Sequence, residues 1–185
     1  GGTVIYNNAG DIPAELFSQV QLVADIRPQN FAVEKTDGLD FELSYQAPLL
    51  GGQTSLHLTG QYILNLDLTA SNGQSVSRLD GYAQPSDLRL NGTFIWGRDG
   101  FSIGTVVNYV DGFTDNRPGE PERKIGSYTT ASLFFGFDVG RLTGCAGLQD
   151  SEVQLVVANL FDARPPRIVG SVLGYEPYNT PPNPR

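Results

Sequence analysis

The chain has 185 residues and a formal net charge of −8, and it contains no long cluster of Lys or Arg. A nucleic-acid partner is therefore not expected, because such a partner requires a basic stripe. Only 17% of the residues are charged, below the roughly 25% of soluble domains. Gly, Pro and aromatic residues are plentiful, which favours strands and turns over helices. No apolar run is long enough for a transmembrane helix, whereas membrane-spanning strands give too weak a signal per segment to be judged this way.

The dominant pattern is an alternation of apolar residues with polar or small ones at every second position, over about ten residues at a time. In chain order, the alternating segments are 39–45, 56–68, 88–96, 101–109, 129–137 and 153–161. The apolar frame of these segments contains no Asp, Glu, Lys or Arg. The opposite frame is polar and small, except that Val156, Ala158 and Leu160 break it in the last segment. Six antiparallel strands are predicted, with one face towards lipid and the other towards a wet lumen. Residues 1–7 are interpreted as the end of a preceding strand.

The spacers between the predicted strands alternate in length. Residues 47–52 and 97–100 are short, 139–151 are intermediate, and 69–86, 111–127 and 163–185 are long and polar. Short turns at one end and long loops at the other are typical of outer-membrane barrels, as are aromatic girdles at both interfaces. The predicted girdle residues are Tyr45, Trp96, Phe101 and Phe137 at the periplasmic rim and Tyr109 and Phe161 at the outer rim.

Two stretches resemble a known family. Residues 36–45, TDGLDFELSY, resemble a strand start that recurs near the C-terminal third of TonB-dependent receptors. Residues 156–166, VVANLFDARPP, resemble the N-L-F-D-x-x-P-P signature on the penultimate strand of that family. Tyr175-Glu176-Pro177 stands where the family often has Tyr-Asp-Pro. The resemblance covers nearly the whole chain.

A TonB-dependent receptor is an outer-membrane barrel of about 22 strands, filled by an N-terminal plug and energised through TonB. The resemblance implies that residues 1–185 are the C-terminal part of such an all-β, antiparallel up-and-down transmembrane β-barrel. About six to seven strands are present, and the plug domain and the final strand are absent. The implied function of the intact protein is energy-coupled uptake of a scarce nutrient, which is a ferric siderophore, cobalamin or a glycan. The implied partners are outer-membrane lipid, the plug, TonB and the nutrient, and the implied location is the cell outer membrane.

Few residues qualify as candidates for a chemical site. His57 is the only histidine, so no His-based metal cluster can form within the chain. A solvated polar position is favoured for it over a lumen ligand or a pH-sensitive contact. Asp40 and Glu42 lie two residues apart and could pair their carboxyl groups for acid–base chemistry, but a hydrated barrel wall is favoured.

A second group of candidates lies in the predicted loops. Asp111, Asp115, Glu120 and Glu122 could bind Ca²⁺, although a soluble loop tip is favoured. Cys145 is the only cysteine, which excludes an intramolecular disulfide, and it is interpreted as an inert turn residue. No G-x-S-x-G motif, P-loop or dinucleotide fingerprint occurs. No catalytic, cofactor-binding or metal-binding residue is therefore predicted, no enzymatic activity is expected, and the residues that contact the nutrient are not assigned.

Two other architectures remain open from the sequence. A small self-contained outer-membrane barrel of eight strands would need its first and last strands to pair, which the Pro-rich segment 177–185 disfavours because Pro cannot donate to a ladder. A soluble carbohydrate-binding β-sandwich also has alternating strands, but its outward faces are normally charged.

Overall fold

A computed structural model describes residues 32–148 and 151–180 of the chain. They belong to the second of two compact units, which spans Ala32–Arg185. The strands are β1 (Ala32–Leu49), β2 (Gly52–Ala70), β3 (Ser75–Ser77), β4 (Leu88–Arg98), β5 (Phe101–Val110), β6 (Phe113–Asp115), β7 (Arg123–Ile125), β8 (Tyr128–Asp138) and β9 (Glu152–Val157). A short helix, α1 (Val139–Thr143), and 3₁₀ turns at Ala146–Leu148 and Pro177–Asn179 complete the regular structure of these residues. The predicted all-β class is confirmed, while the strand end predicted at 1–7 lies outside the described residues.

Six of the strands form one antiparallel meander in the order β1-β2-β4-β5-β8-β9. β3 extends the pairing of β2, and β6 pairs with β7 in a separate two-stranded sheet. The prediction of six antiparallel strands that pair in sequence order is therefore confirmed. Over residues 32–148 and 151–180, β1 and β9 are the two edges of the sheet and do not pair with each other, so these residues form no closed barrel. None of the helices in the same residues is long and apolar enough to cross a membrane.

Two hairpins of the sheet have turns of the kind predicted. Leu50 and Gly51 join β1 to β2 with φ angles of 52° and 74°, and Asp99 and Gly100 join β4 to β5 with φ angles of 52° and 83°. Two successive positive φ angles are what the type I′ turn requires, and the twist of that turn matches the twist of the flanking strands. Residues 139–151 connect β8 to β9 at the same end of the sheet, which we call the short-turn end. The opposite, long-loop end carries residues 71–87, 111–127 and 158–180.

The pairing register places the apolar frames of all six strands on one face of the sheet. One row across this face consists of Tyr45, Leu56, Phe94, Thr105, Leu133 and Val157. A slip of one residue in any strand would turn that strand's frame to the other face, so the five registers agree with the frames chosen from the sequence. The apolar face is exposed, with Leu43 at 52% and Leu155 at 57% of their full accessibility.

The β1–β2 hairpin is longer than the alternation predicted. The last pair that β2 shares with β4 is Tyr62 with Leu88, whereas β1 and β2 continue to pair as far as Ala32 with Ala70. A β-bulge between Asp37 and Gly38 marks the start of this extension. Three predicted face residues, Leu64, Leu66 and Leu68, therefore lie beyond the six-stranded part of the sheet.

The last predicted strand ends early. β9 stops at Val157, so the prediction that Asn159 and Phe161 belong to its apolar face is wrong. Asn159 has a φ of 47°, its Nδ2 donates to Ala163 O at 3.0 Å, and its Oδ1 accepts from Ala163 N at 2.9 Å. These bonds close a turn, because an Asn side chain can substitute for backbone partners and tolerates a positive φ. The N-L-F-D signature is thus a turn that ends β9.

Candidate ligand groove and loop cluster

An open groove of about 760 Å³ lies on the polar face of the sheet, next to the long-loop end. β1, β2, β4 and β5 contribute its floor, and Tyr178–Thr180 contributes one side. The side chains that give it chemical character are the carboxylates Asp40 and Glu42, the guanidinium of Arg89, the amides Gln61, Asn91 and Asn108, and the ring of Tyr178. Its volume lies within the range of small-molecule sites.

Arg89 is fixed in the wall of this groove by the C-terminal segment. Its Nη2 donates to Asn179 Oδ1 at 2.8 Å and to Tyr178 O at 3.2 Å. Its guanidinium carbon lies 5.5 Å from the centroid of the Tyr178 ring, within the distance of a cation–π contact. The buried Nε of Arg89 has no hydrogen-bond acceptor among the residues that the structure describes. Because this Nε is closed to solvent, it is not a donor that a ligand in the groove can reach.

The amides on the groove floor form a short ladder across three strands. Asn91 Nδ2 donates to Asn108 Oδ1 at 2.6 Å, and Asn108 Nδ2 donates to Thr130 Oγ1 at 3.4 Å. The three residues face one another in the register of β4, β5 and β8. Because the ladder uses an amide hydrogen of Asn91, the carbonyl oxygen of Asn91 stays available as an acceptor.

Residues 163–180, which we call the strap, fold back over the loop that precedes β4. Asn179 is 5% exposed and is the central contact: its Oδ1 accepts from Ser86 N at 3.1 Å and its Nδ2 donates to Gln84 O at 2.8 Å. Glu176 holds Asn179 in place, since its carboxylate accepts from the backbone N–H groups of Tyr178 and Asn179. Tyr178 is thereby presented to the groove by a short, capped 3₁₀ turn.

A buried ion pair within the loop between β5 and β8 holds Arg117, which also binds the strap. Arg117 Nε donates to Asp115 Oδ1 at 2.8 Å, and Asp115 is only 1% exposed. Arg117 Nη2 also donates to Val169 O of the strap at 2.7 Å, and its guanidinium carbon lies 4.9 Å from the centroid of the Tyr82 ring. The hydrogen bond from Arg117 holds the pKa of Asp115 below its ordinary value. The three long loops are therefore tied into one cluster.

Two further carboxylates in this cluster have the opposite shift. Burial raises the pKa of Asp80 above its ordinary value, although Asp87 N donates to Asp80 Oδ1 at 2.7 Å. Burial and the charge of Asp111 raise the pKa of Asp87. Both carboxylates are thus easier to protonate than in an unfolded chain.

The residues considered from the sequence fall in several places. Asp40 and Glu42 line the groove, and His57 lies beside it, with Nδ1 2.9 Å from Ser44 Oγ and 3.6 Å from Glu42 Oε1. Ser44 and Glu42 approach the same ring nitrogen, which is not the relay arrangement of a catalytic triad. Cys145 is exposed and is located after α1, at the short-turn end.

The acidic loop does not gather its carboxylates. Each carboxylate has a different partner: Asp115 pairs with Arg117, and Glu120 Oε2 lies 3.4 Å from Arg123 Nη2. The carboxylate of Asp111 accepts hydrogen bonds from Tyr109 OH and Gly112 N. Within residues 32–148 and 151–180, no three His, Cys, Asp or Glu side chains are grouped as metal ligands would be.

Three of the four aromatic residues predicted for the periplasmic rim meet at the short-turn end, while Tyr45 lies one step further into the apolar face, opposite Leu56. Phe101 lies between Trp96 and Phe137, with ring centroids 6.4 Å and 5.5 Å away. Trp96 Nε1 donates to Leu49 O at 2.8 Å, so the indole has its polar atom satisfied at the edge of the apolar face.

Several groove residues were not singled out from the sequence. The alternation places Arg89, Asn91 and Asn108 on the polar face, and that was the only available signal for them. Tyr178 and Asn179 lie in a Pro-rich segment without periodicity, so nothing local pointed to their contacts with β4. No protein-family model, no curated protein and no solved structure matches the chain.

Proposed function

We propose that this chain is part of the wall of an outer-membrane β-barrel of the TonB-dependent receptor type, and that the intact protein takes up a scarce nutrient. The observation that carries the proposal is the continuous apolar face of the sheet, which six strands build in one register and which remains exposed. Soluble monomers rarely expose an apolar patch larger than a few hundred Å². Outer-membrane lipid is the partner that would cover such a face.

The dimensions of the sheet support the same location. β4 has 11 residues. A strand of that length, rising about 3.3 Å per residue and tilted by about 45°, spans roughly 25 Å, which is the height of the apolar band of these barrels. Trp96, Phe101 and Phe137 mark the short-turn end of this span, where an interfacial girdle is expected.

The two ends of the sheet support an orientation. Two turns of two residues and the connection 139–151 at one end, and loops tied into a cluster at the other, correspond to the periplasmic and outer sides of an outer-membrane barrel. The groove on the polar face then opens towards the lumen, close to the outer loops.

The assignment to the receptor family depends on the sequence signatures, above all NLFDARPP at 159–166. It brings with it the plug, TonB as the source of energy, and a ferric siderophore, cobalamin or a glycan as cargo. The exposure of the apolar face argues against the soluble sandwich, which would need a second layer over that face.

A matched pair of valines tests the membrane location. Val107 lies on the apolar face near its centre, and its neighbour Val106 lies on the polar face of the same strand. Each is changed to Cys in a Cys145→Ser background, labelled with an environment-sensitive fluorophore, and measured in bilayers that contain brominated lipid. Quenching at position 107 but not at 106 is expected.

An Arg at the same two positions gives an independent measure. Val107→Arg should destabilise the protein in a bilayer by about 2–4 kcal/mol, whereas Val106→Arg should cost much less. Equal quenching of the fluorophore at positions 106 and 107, together with an equal loss of stability in the two Arg variants, would refute the membrane location. The receptor assignment is tested by growth of cells on candidate nutrients: growth that requires the intact protein should also require TonB.

A further inference from the structure

We infer that the groove beside the strap is a binding site for a neutral oligosaccharide, which stacks on Tyr178 and hydrogen-bonds to Asp40, Glu42 and Asn91. The inference rests on the proposed function in one respect: the polar face is taken to line a water-filled lumen that nutrients enter. It narrows the possible cargo to one chemical class.

The charges in the groove disfavour an anionic ligand. Two carboxylates, those of Asp40 and Glu42, line one part of the groove, and one guanidinium, that of Arg89, lines another part. Arg89 already uses Nη2 to bind Asn179 and Tyr178 O. An anionic ferric complex would bring its charge towards two carboxylates, and like charges at short range repel.

The hydrogen-bonding groups of the groove favour a ligand rich in donors. Ionised carboxylates only accept hydrogen bonds, and the ladder leaves the carbonyl oxygen of Asn91 as a further acceptor. Arg89 and Gln61 supply donors nearby. A sugar presents hydroxyl groups that both donate and accept, so each of these side chains would find a partner without a charged ligand.

Tyr178 supplies the apolar contact that a sugar ring requires. The residue is 55% exposed although the Arg89 guanidinium lies over its ring, and the backbone beneath it is held by Glu176 and Asn179. The exposure of a large ring on a fixed turn beside polar groups is a preorganised arrangement, and preorganisation lowers the entropy cost of binding. The C–H face of a pyranose ring can pack on such an aromatic surface.

A polyamine is the competing ligand class, because carboxylates and an aromatic ring also suit a cation. The test therefore uses the full protein in lipid nanodiscs and titrates it with a panel of malto-, cello-, xylo- and manno-hexaose, with spermidine as the competing probe. Binding is followed by calorimetry and by saturation-transfer NMR. We expect at least one hexasaccharide to bind and spermidine not to bind.

Variants locate the site. Tyr178→Phe keeps the ring and should bind the hexasaccharide as the wild type does. Tyr178→Ala removes the ring and should raise the Kd of the hexasaccharide by about tenfold, which corresponds to about 1.4 kcal/mol. Asn91→Ala is on a strand and not on the strap, so it should raise Kd several-fold without loosening the strap. Val106→Ala, on the polar face but not among the groove residues, is the control and should leave Kd unchanged.

The outcomes separate this inference from the proposed function. If no hexasaccharide binds at about 10 mM, or if spermidine binds in its place, the saccharide site is refuted, while the quenching at position 107 can still support the membrane location. If a hexasaccharide binds with the Tyr178 and Asn91 dependence above, the site is supported even where the quenching experiment fails. Binding that neither Tyr178→Ala nor Asn91→Ala weakens would place the sugar elsewhere and overturn the inference.

Discussion

Asn179→Ala should release the strap from the sheet. The substitution removes the acceptor of Ser86 N, the acceptor of Arg89 Nη2 and the donor to Gln84 O. Ser86 is 1% exposed, so its N–H group would be left without a partner and without water. A buried unsatisfied donor costs about 1–3 kcal/mol, and a hydrogen bond to a charged group contributes about 1.5–3 kcal/mol.

The two main losses share one side chain and are not additive, so we expect strap opening to become easier by about 3–5 kcal/mol. This corresponds to roughly a 140- to 4,000-fold increase in the open population, because about 1.4 kcal/mol is a factor of ten. Hydrogen exchange with mass spectrometry measures this change at the amides of Ser86, Tyr178, Asn179 and Thr180, which are hydrogen-bonded in the closed strap. Their exchange should accelerate by that factor, while the amides of β4 and β5 keep their protection.

Two other variants sharpen the test. Asn179→Asp keeps an acceptor for Ser86 N and Arg89 but loses the donor to Gln84 O, so it should accelerate exchange less than Asn179→Ala. Val172→Ala, at a fully exposed position of the strap, should leave exchange unchanged. If Asn179→Ala and Val172→Ala gave the same exchange rates, Asn179 would not be the residue that holds the strap.

Three further predictions concern the turn, the loop cluster and the sheet edges. Leu50→Asn should stabilise the β1–β2 hairpin by about 1 kcal/mol, because Leu50 has a φ of 52° and Asn tolerates that conformation better. Thermal unfolding measures the change, and a variant less stable than the wild type would show that the positive φ of Leu50 does not strain the turn. The pKa of Asp115 is lowered in the fold, so its contribution to stability is complete above the unfolded pKa of about 3.9 and is lost as the pH falls through the lower folded value. Asp115→Asn should therefore weaken exchange protection of the strap at neutral pH and flatten its loss in acid, and an unchanged acid profile would show that the pair does not govern it. A protein of residues 1–185 alone should sediment as aggregates without detergent, because β1 has a long exposed edge and the apolar face is uncovered. A sharp monomer peak with cooperative unfolding would instead favour a soluble fold.

The six-stranded part of the sheet could be predicted from the sequence because its signal is local. Alternation of residues such as Phe101, Ile103 and Thr105 records which face each residue occupies, and turn residues such as Asp99-Gly100 mark where strands reverse. Once neighbouring strands are joined by two-residue turns, the register is fixed by geometry. This constraint holds for the β1–β2 and β4–β5 hairpins, whereas the pairs joined by longer connections agree in frame because one face of every strand is apolar.

Strand ends and the strap could not be predicted in the same way. Asn159 fits the alternation of β9, and only its contact with Ala163 shows that it turns the chain. Asn179 reaches Ser86 and Arg89 across about ninety residues of sequence, and no periodic pattern encodes such a contact. The groove was missed for the same reason, since one of its sides is supplied by the strap.

The distribution of buried residues bears on how a ligand would be bound. The buried hydrophobic side chains of the described residues are Val110, Phe113, Tyr128 and Ile168, and all four lie at the long-loop end. Four of the five buried polar residues, Ser86, Asp115, Glu176 and Asn179, lie there too, and each has a hydrogen-bond partner, whereas Thr54 lies at the short-turn end and its Oγ1 has no partner among the described residues. The loop cluster therefore has a small core and a polar network of its own, in which Arg89 Nε and Arg123 Nε are the buried atoms without a partner among the described residues, whereas the apolar face of the sheet lacks any cover among these residues. A ligand that enters the groove would meet Tyr178 and Arg89 already ordered, so little conformational entropy would be lost when it binds. Affinity would then depend on the stability of the strap contacts as much as on the groups that touch the ligand.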